Sequence, residues 1–318
     1  MSRRRFLVRR LIMLAGSLLV ASFIIFGSMY LAPGSALAAL TGGRALPASS
    51  IAVLEQRYHL NQSFFAQYWY WLGNALHGNL GISIEWRENV TRLIGNLSWT
   101  TMGLVLYASV IIVVVGIGLG VASGLKPGGK LDTSVLVSTA VTAALPSFVA
   151  SMVLITVFAV ELHWFPALGN GTGFLSNVQH LTMPAIALAV SSLAIVARVT
   201  RAAVREEAGR EHVQTAISRG IPYRQIIRKH ILRNAAIPIT TITGITIASL
   251  IAVDAVVETA FSLNGLGAFL VKAAEDKDLA VVQGISLVLV AAFVLVNMVV
   301  DILYAWLDPR VSLGEVAQ

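Results

Sequence analysis

Long runs of apolar residues, almost free of charge, alternate with short polar stretches along the chain. A helix that crosses the hydrocarbon of a bilayer needs roughly 20 apolar residues at about 1.5 Å rise each, and six runs are long enough. Five of them contain no charged residue, and one contains only Asp254. We therefore predict an all-α membrane protein with six transmembrane helices, over residues 11–31, 101–124, 133–160, 181–197, 235–257 and 279–300.

Composition and charge support this class and orient the helices. Apolar residues make up 56% of the chain and charged residues 12%. With the N-terminus inside, the inner segments hold seventeen lysines and arginines and the outer segments six. Because cytoplasmic loops carry the excess of Lys and Arg, both termini are predicted to be cytoplasmic. The net charge of +7 is then a signal of topology, and we expect no nucleic-acid partner.

The pattern divides the chain into four parts. Residues 1–31 form the cytoplasmic N-terminus and first helix, 32–98 an extracytoplasmic segment, 99–310 a core of five helices, and 311–318 a tail. The sequence Ala36-Leu37-Ala38 resembles a signal cleavage site, but the preceding apolar run is longer than a signal peptide needs, which favours an uncleaved anchor. The outer segment is dense in aromatic residues, which suits either a surface for an external partner or an interfacial lid. These residues are Tyr58, Phe64, Phe65, Tyr68, Trp69, Tyr70 and Trp71.

Small residues and a proline shape the second and third predicted helices. Gly116, Gly120 and Gly124 recur every four residues, which lets another helix approach closely. The following residues 124–130 have the glycine and lysine spacing of a phosphate loop, but Leu131 stands where a Ser or Thr would be needed, so no nucleotide site is expected. Pro146, followed by Ser147, predicts a kink, in either a pore-lining helix or an ordinary packed one.

Two acids occur near the outer end of the fifth predicted helix. Asp254 and Glu258 are four residues apart and share a helical face. We expect Glu258 at the membrane interface, which would leave Asp254 as a lone intramembrane acid. Such acids are rare and mark ion pathways, so a proton-coupled secondary transporter that uses Asp254 is one alternative function.

Catalytic and metal-binding patterns are not evident. The six histidines fall in predicted loops or at helix edges, away from membrane-embedded serines, so an intramembrane hydrolase is the weakest alternative. The chain contains no cysteine and no zinc-binding spacing. We expect a protein that is not an enzyme and that binds no cofactor or metal itself.

Residues 198–234 form a cytoplasmic segment with nine of the twenty-three basic residues. Residues 211–220 predict a short helix that ends at Gly220, and a second helix is predicted after Pro222. In the second helix, apolar residues recur at helical spacing, at Tyr223, Ile226, Ile227 and Ile231. The segment is therefore predicted to form a helix–turn–helix beneath the membrane, whose first arm is suited to a groove of another protein.

Several sequence blocks resemble one transporter family. Gln214-Thr215-Ala216 precedes Gly220 at the spacing of the Glu-Ala-Ala…Gly signature of bacterial ABC importer permeases, although the glutamate is missing. The block His230-Ile231-Leu232-Arg233-Asn234-Ala235 and the order of the other blocks are similar to the B-type permease subunit of the peptide/nickel branch. These other blocks begin at Tyr58, Gln67, Gly78, Leu145, His180, Val257, Gly265, Asp301 and Leu307.

The resemblance implies a type I ABC importer permease fold in a bacterial inner membrane. It implies a pore shared with a second, homologous permease subunit, two ATPase subunits that bind ATP and magnesium, and an extracytoplasmic solute-binding protein. The substrates it implies are di- and oligopeptides, with nickel chelates, glutathione and haem left open. The coupling helix that docks on the ATPase would be formed by Glu211, His212, Gln214, Thr215, Ala216, Gly220 and Pro222.

Overall fold

The computed structural model describes residues 3–31, 47–57 and 61–307, which form eleven helices. The possible cleavage site, Tyr58 and the tail 311–318 lie outside these residues. The helices are α1 Arg3–Leu31, α2 Ala48–Arg57, α3 Phe64–Leu76, α4 Val90–Gly124, α5 Lys130–Ala143, α6 Ser147–Glu161, α7 Phe174–Ala208, α8 Glu211–Ser218, α9 Tyr223–Ala260, α10 Leu266–Glu275 and α11 Leu279–Leu307. In the described residues β-structure is limited to one isolated bridge, between Ile82 and Asn89.

Five of these helices, α1, α4, α7, α9 and α11, are each long and apolar enough to cross a membrane. A further span, between α4 and α7 in chain order, is broken. Its two helices, α5 and α6, meet at an angle of 105°, and Pro146 is the residue immediately before α6. The kink expected at this proline is therefore present. It separates two helices because proline cannot donate the backbone hydrogen bond that would continue α5.

Helix α7 lies at the centre of the bundle and contacts α4, α5, α6 and α9. Its inner surface is lined by small residues, among them Ala185, Ala187, Ala189, Ala194 and Ala197, and each of them is buried. Small side chains allow this close approach in a lipid environment, where apolar burial alone does not drive helices together. By contrast, many large apolar side chains of α1, α4 and α11 are exposed, as lipid contact requires.

The glycine face predicted in α4 packs against α7. A Cβ atom built on Gly120 would lie 2.5 Å from Cβ of Thr200 and 2.7 Å from the carbonyl oxygen of Ala197. A Cβ atom on Gly124 would lie 2.9 Å from the carbonyl oxygen of Arg201 and 2.9 Å from Cβ of Val204, whereas one on Gly118, two residues before Gly120, would meet no described atom within 4 Å. The expected close packing is therefore confirmed, and it lies at the inner end of both helices.

One segment differs from the sequence-based expectation. The second arm predicted after Pro222 is not a separate cytoplasmic helix, because it continues through a π-helical turn at Ile227–Ile231 into the fifth span. Tyr223, which was expected on its apolar face, is exposed, whereas Ile226 and Ile231 are buried. The periodicity correctly identified a helix, but it carried no signal for an end, since the apolar face runs on into the membrane.

Candidate functional site

Helix α8 is a short element at the inner end of the bundle, beneath α7 and α9. Its apolar side packs on the same chain through Val213 and Ala216, which are both buried. They join an apolar cluster with Val204 of α7 and with Ile226 and Ile231 of α9. The helix is thereby attached to both long helices that leave the membrane at this point.

A Schellman motif ends α8 at Gly220. The N–H of Ile221 donates to the carbonyl of Ala216, at 3.2 Å, and the N–H of Gly220 donates to that of Ile217, at 2.9 Å. Gly220 has a φ of +70°, in the left-handed region where side chains with a Cβ are strained. The glycine of the signature is thus explained by the turn that it forms, and Pro222 stands directly before α9.

The other side of α8 faces solvent. Of the residues predicted to form the coupling helix, all are exposed except Ala216, which packs inward. The exposed residues are Glu211, His212, Gln214, Thr215, Gly220 and Pro222. Ile217, at 47% exposure, adds an apolar side chain to this surface. The result is an outward face of polar side chains around one apolar residue, on a helix whose inner face is already occupied.

Glu207, which the sequence-based reasoning did not single out, connects the ends of three helices. Its carboxylate accepts a hydrogen bond from Nδ2 of Asn234 in α9, at 3.3 Å, and pairs with Nε of Arg210 at 2.9 Å. Nε2 of His212, in α8, lies 3.9 Å from the same carboxylate. Glu207 is 8% exposed, an unusual environment for an acid in a basic strip. In the sequence, the available signal for Glu207 was an acidic residue within a strip of basic residues.

A second group of polar residues lies near the outer end of α9. The side chain of Glu258 is not open to solvent but fully buried in the protein, at 0% exposure. One carboxylate oxygen accepts from the hydroxyl of Thr101 at 2.6 Å, and the other accepts from the N–H of Ala268 at 2.9 Å. Thr101 in turn accepts from the N–H of Leu266 at 2.8 Å. Glu258 and Thr101 together therefore cap the N-terminus of α10 from outside that helix.

Asp254 lies one helical turn from Glu258 and is also buried, at 1% exposure. Among the residues that the structure describes, no hydrogen-bond donor meets either of its carboxylate oxygens. The two acids thus share a helical face, as predicted, but only Glu258 is fully satisfied by neighbouring groups. An unsatisfied buried carboxyl group is costly to maintain, which makes Asp254 a candidate for a functional role.

The remaining predicted residues and the outer aromatic segment are placed less centrally. Pro146 is exposed at the bend, and the carbonyl of Ser147 accepts a hydrogen bond from Oγ of Ser151 within α6. In α3, Tyr68 is buried and its hydroxyl hydrogen-bonds with Oγ of Ser22 in α1 at 2.9 Å, while Trp69 is exposed. The aromatic segment therefore packs on α1 with one side and leaves the other open.

Within the described residues, no cluster of three or more His, Asp or Glu side chains has the geometry of a metal site.

Comparisons with known proteins agree with this architecture. Residues 116–313 match the model of the binding-protein-dependent transport system inner membrane component, and residues 3–101 match the model of its N-terminal part. The chain is 32% identical to the oligopeptide transport system permease protein OppB of Escherichia coli K12, over 96% of this chain and 99% of the relative. It is 31% identical to the glutathione transport system permease protein GsiC of Escherichia coli O6:H1, over 96% and 98%.

A further relative and a solved structure extend the comparison. The dipeptide transport system permease protein DppB of Alkalihalophilus pseudofirmus is 29% identical, over 96% of this chain and 98% of the relative. A chain of the MetNI methionine ABC transporter, in an inward facing form, has a TM-score of 0.54 at 19% identity, over 68% of this chain and 96% of that chain. The structural match supports the type I importer permease fold. The chain belongs to the family of binding-protein-dependent transport system inner membrane components, and it is a multi-pass protein of the inner membrane.

Proposed function

We propose that this protein is a pore-forming permease subunit of an ATP-driven importer of short peptides, and that α8 is its docking helix for an ATPase subunit. The observation that carries the proposal is the two-sided character of α8. Its inner face joins α7 and α9 through Val213 and Ala216, while its outer face is exposed and polar. The names of the relatives support peptides as the substrate class, since OppB and DppB are described as oligopeptide and dipeptide permeases.

Movement of α8 would reach the membrane helices by two routes. One is the apolar cluster that α8 shares with Val204 and Ile231, and the other is the polar link from Glu207 to Asn234 and His212. Closely packed elements transmit displacement because their interfaces cannot deform freely. A force on α8 from an ATPase subunit would therefore shift the inner ends of α7 and α9 together.

The absence of cysteine from the chain makes this docking directly testable. Single cysteines at Thr215 and Ser218, on the exposed face of α8, should be cross-linked by a short thiol-to-amine reagent to a subunit that carries a phosphate-binding loop. A cysteine at Lys126, exposed in the inner turn between α4 and α5, is the matched control. Equal cross-linking at Lys126 and at Thr215, or none at either α8 position in a complex that hydrolyses ATP, would contradict the assignment.

Gly220 provides a second test with an unusually close control. Gly128, in the inner turn before α5, also has a left-handed φ, of +77°, and open space around its Cβ position, as Gly220 has. Replacement of either by valine imposes similar local strain. We expect Gly220→Val to abolish peptide uptake with the subunits still assembled, and Gly128→Val to retain most uptake. Equal uptake by both variants would count against docking at α8.

A proton-coupled secondary transporter is the second candidate, and the unpaired Asp254 is the observation that favours it. The variant Asp254→Asn removes the titratable group and nearly preserves its shape. If peptide uptake is lost while ATP hydrolysis still responds to the binding protein, proton coupling is favoured. Transport by the purified chain alone in liposomes, without any ATPase, would overturn the importer proposal itself.

A further inference from the structure

Helix α9 contains a π-helical turn at the point where it leads from α8 toward the membrane. The turn covers Ile227–Ile231, and the N–H of Leu232 donates to the carbonyl of Ile227, five residues earlier. A π-helical turn holds one residue more than the corresponding turn of an α-helix, and such turns within longer helices are frequent at functional sites. The position of this turn, between α8 and the apolar part of α9, suggests a role in connecting them.

The additional residue decides which side chains of α9 reach the apolar cluster at the inner end of the bundle. The buried residues that α9 contributes to this cluster are Ile226, Ile231, Ala235 and Ile239, at intervals of five, four and four residues. In an unbroken α-helix, residues five positions apart point about 140° away from each other, since each residue turns the helix by about 100°. Because of the π-helical turn, Ile226 and Ile231 share one face, and each is only 1% exposed.

The same cluster includes Val213 and Ala216 of α8. Ile226 lies before the π-helical turn and Ile231 at its end, so the segments of α9 on both sides of the turn pack together with α8. A displacement of α8 would therefore act on both segments, and the turn between them is where α9 departs from regular α-helical hydrogen bonding.

A second interruption of α9 follows at Pro238, which lies inside the helix. Proline has no N–H, so the carbonyl of Asn234 lacks its usual helical partner. Residues 232–237 are thus bounded by the π-helical turn on one side and by Pro238 on the other. Within this segment, Nδ2 of Asn234 donates to Glu207 of α7 at 3.3 Å. The segment is the part of α9 that can rotate with the smallest loss of regular hydrogen bonds.

We propose that the π-helical turn is a movable hinge between α8 and the membrane part of α9. When α8 is displaced, the turn shifts along α9 toward Pro238, and the residues that it passes rotate by about 100° around the helix axis. Asn234 then leaves Glu207, whereas α9 beyond Pro238 keeps its packing. Shifts of one helix against its packed neighbours are a known form of conformational switching. The inference rests on the proposed docking of an ATPase subunit at α8.

Deletion of Lys229 tests the hinge by removing the additional residue. Lys229 is exposed within the turn. Its deletion brings Ile226 and Ile231 to the four-residue spacing of a regular α-helix, so both remain in the cluster. Lys229→Ala is the matched control, because it removes the same side chain and keeps the number of residues.

The deletion variant should assemble with its partner subunits and have a thermal midpoint no lower than that of the wild type. We expect peptide uptake to fall about tenfold while ATP hydrolysis continues, because a hinge acts on coupling and not on the chemical step. Lys229→Ala should keep the uptake of the wild type. Full uptake by the deletion variant would overturn the hinge. Failure to assemble, or a lower midpoint, would contradict the alignment of Ile226 and Ile231 by the turn.

Cross-linking from a cysteine at Thr215 separates this proposal from the docking proposal. Absence of cross-links to the ATPase subunit in the otherwise unchanged chain would sink the docking of α8. Retained cross-links together with full uptake in the deletion variant would sink only the hinge.

Hydrogen exchange provides a test that does not depend on uptake. The amides of residues 232–237 would be compared between the nucleotide-free complex and the complex held with ATP and vanadate. We expect their exchange to differ between the two states in the wild type and to be the same in the deletion variant. Residues 245–253, in the uninterrupted part of α9, are the internal control and should show no difference. Identical exchange at residues 232–237 in both states of the wild type would overturn the proposal.

Discussion

Arg201 of α7 holds Asp132 of α5 through two hydrogen bonds. Its Nε lies 2.5 Å from Oδ1, and its Nη2 lies 2.8 Å from Oδ2. The carboxylate also accepts from the N–H of Gly128, at 2.9 Å, so it connects the inner turn before α5 to the central helix. The side chains of Asp132 and Arg201 are only 3% and 14% exposed.

Loss of one member of this pair should destabilise the inner end of the bundle. Removing one partner leaves the other charge without its hydrogen-bonded counterion in a largely enclosed position, which destabilises the folded state. We expect Asp132→Asn and Arg201→Gln each to lower the thermal midpoint of the purified complex, whereas Arg205→Gln, at an exposed position of α7, should not. A double variant Asp132→Asn/Arg201→Gln should recover part of the loss, and strict additivity would argue against direct coupling.

The glycine face of α4 offers a pair of matched substitutions. Gly120→Ala introduces a methyl group that meets Thr200 and the backbone of Ala197, so overpacking should cost about 1–3 kcal/mol. Gly118→Ala makes the same change at a position where no atom of the described part of the chain lies within 4 Å. Thermal unfolding should show a lower midpoint for Gly120→Ala and an unchanged or slightly higher one for Gly118→Ala, because alanine favours the helix. Similar midpoints would contradict the close packing of α4 on α7.

The cap of α10 depends on a single hydroxyl group. Thr101→Val removes the donor to Glu258 and the acceptor for the N–H of Leu266, which leaves buried polar groups unpaired at a cost of about 1–3 kcal/mol. Thr101→Ser keeps both bonds and should be close to wild type. The control Thr259→Val removes an exposed hydroxyl that donates to the carbonyl of Ala255 in its own helix. Hydrogen exchange at the amides of Leu266 and Ala268 should accelerate only in Thr101→Val.

Asp278 fastens the outer turn that contains Ser83. Its carboxylate accepts from Oγ of Ser83 at 2.6 Å and from the N–H of Glu85 at 3.2 Å, and it is 4% exposed. Asp278→Ala should release this turn from the start of α11. Limited proteolysis from the outer side should then cleave near residues 83–89 much faster than in wild type. Asp276→Ala, at an exposed acid in the same loop, should leave the cleavage rate unchanged.

The acidic pair shows where sequence patterns stop being informative. Spacing correctly placed Asp254 and Glu258 on one helical face, but it carried no information about what that face meets. The partners of Glu258 come from Thr101, 157 residues away, and from Ala268, beyond the end of the helix. The burial of Glu258 beside Asp254 was therefore not foreseen. The same holds for Asp132 and Arg201, which are 69 residues apart and had no local signal that joined them.

Local chemistry was sufficient for other features, and for a physical reason. The apolar runs, the excess of inner arginines, the turn at Gly220 and the break at Pro146 depend on neighbouring residues and on the surrounding lipid, so the sequence alone determined them. The tertiary structure alone decided which buried polar groups meet and that the helix after Pro222 continues into the membrane. These depend on contacts between distant segments, which helical periodicity does not encode.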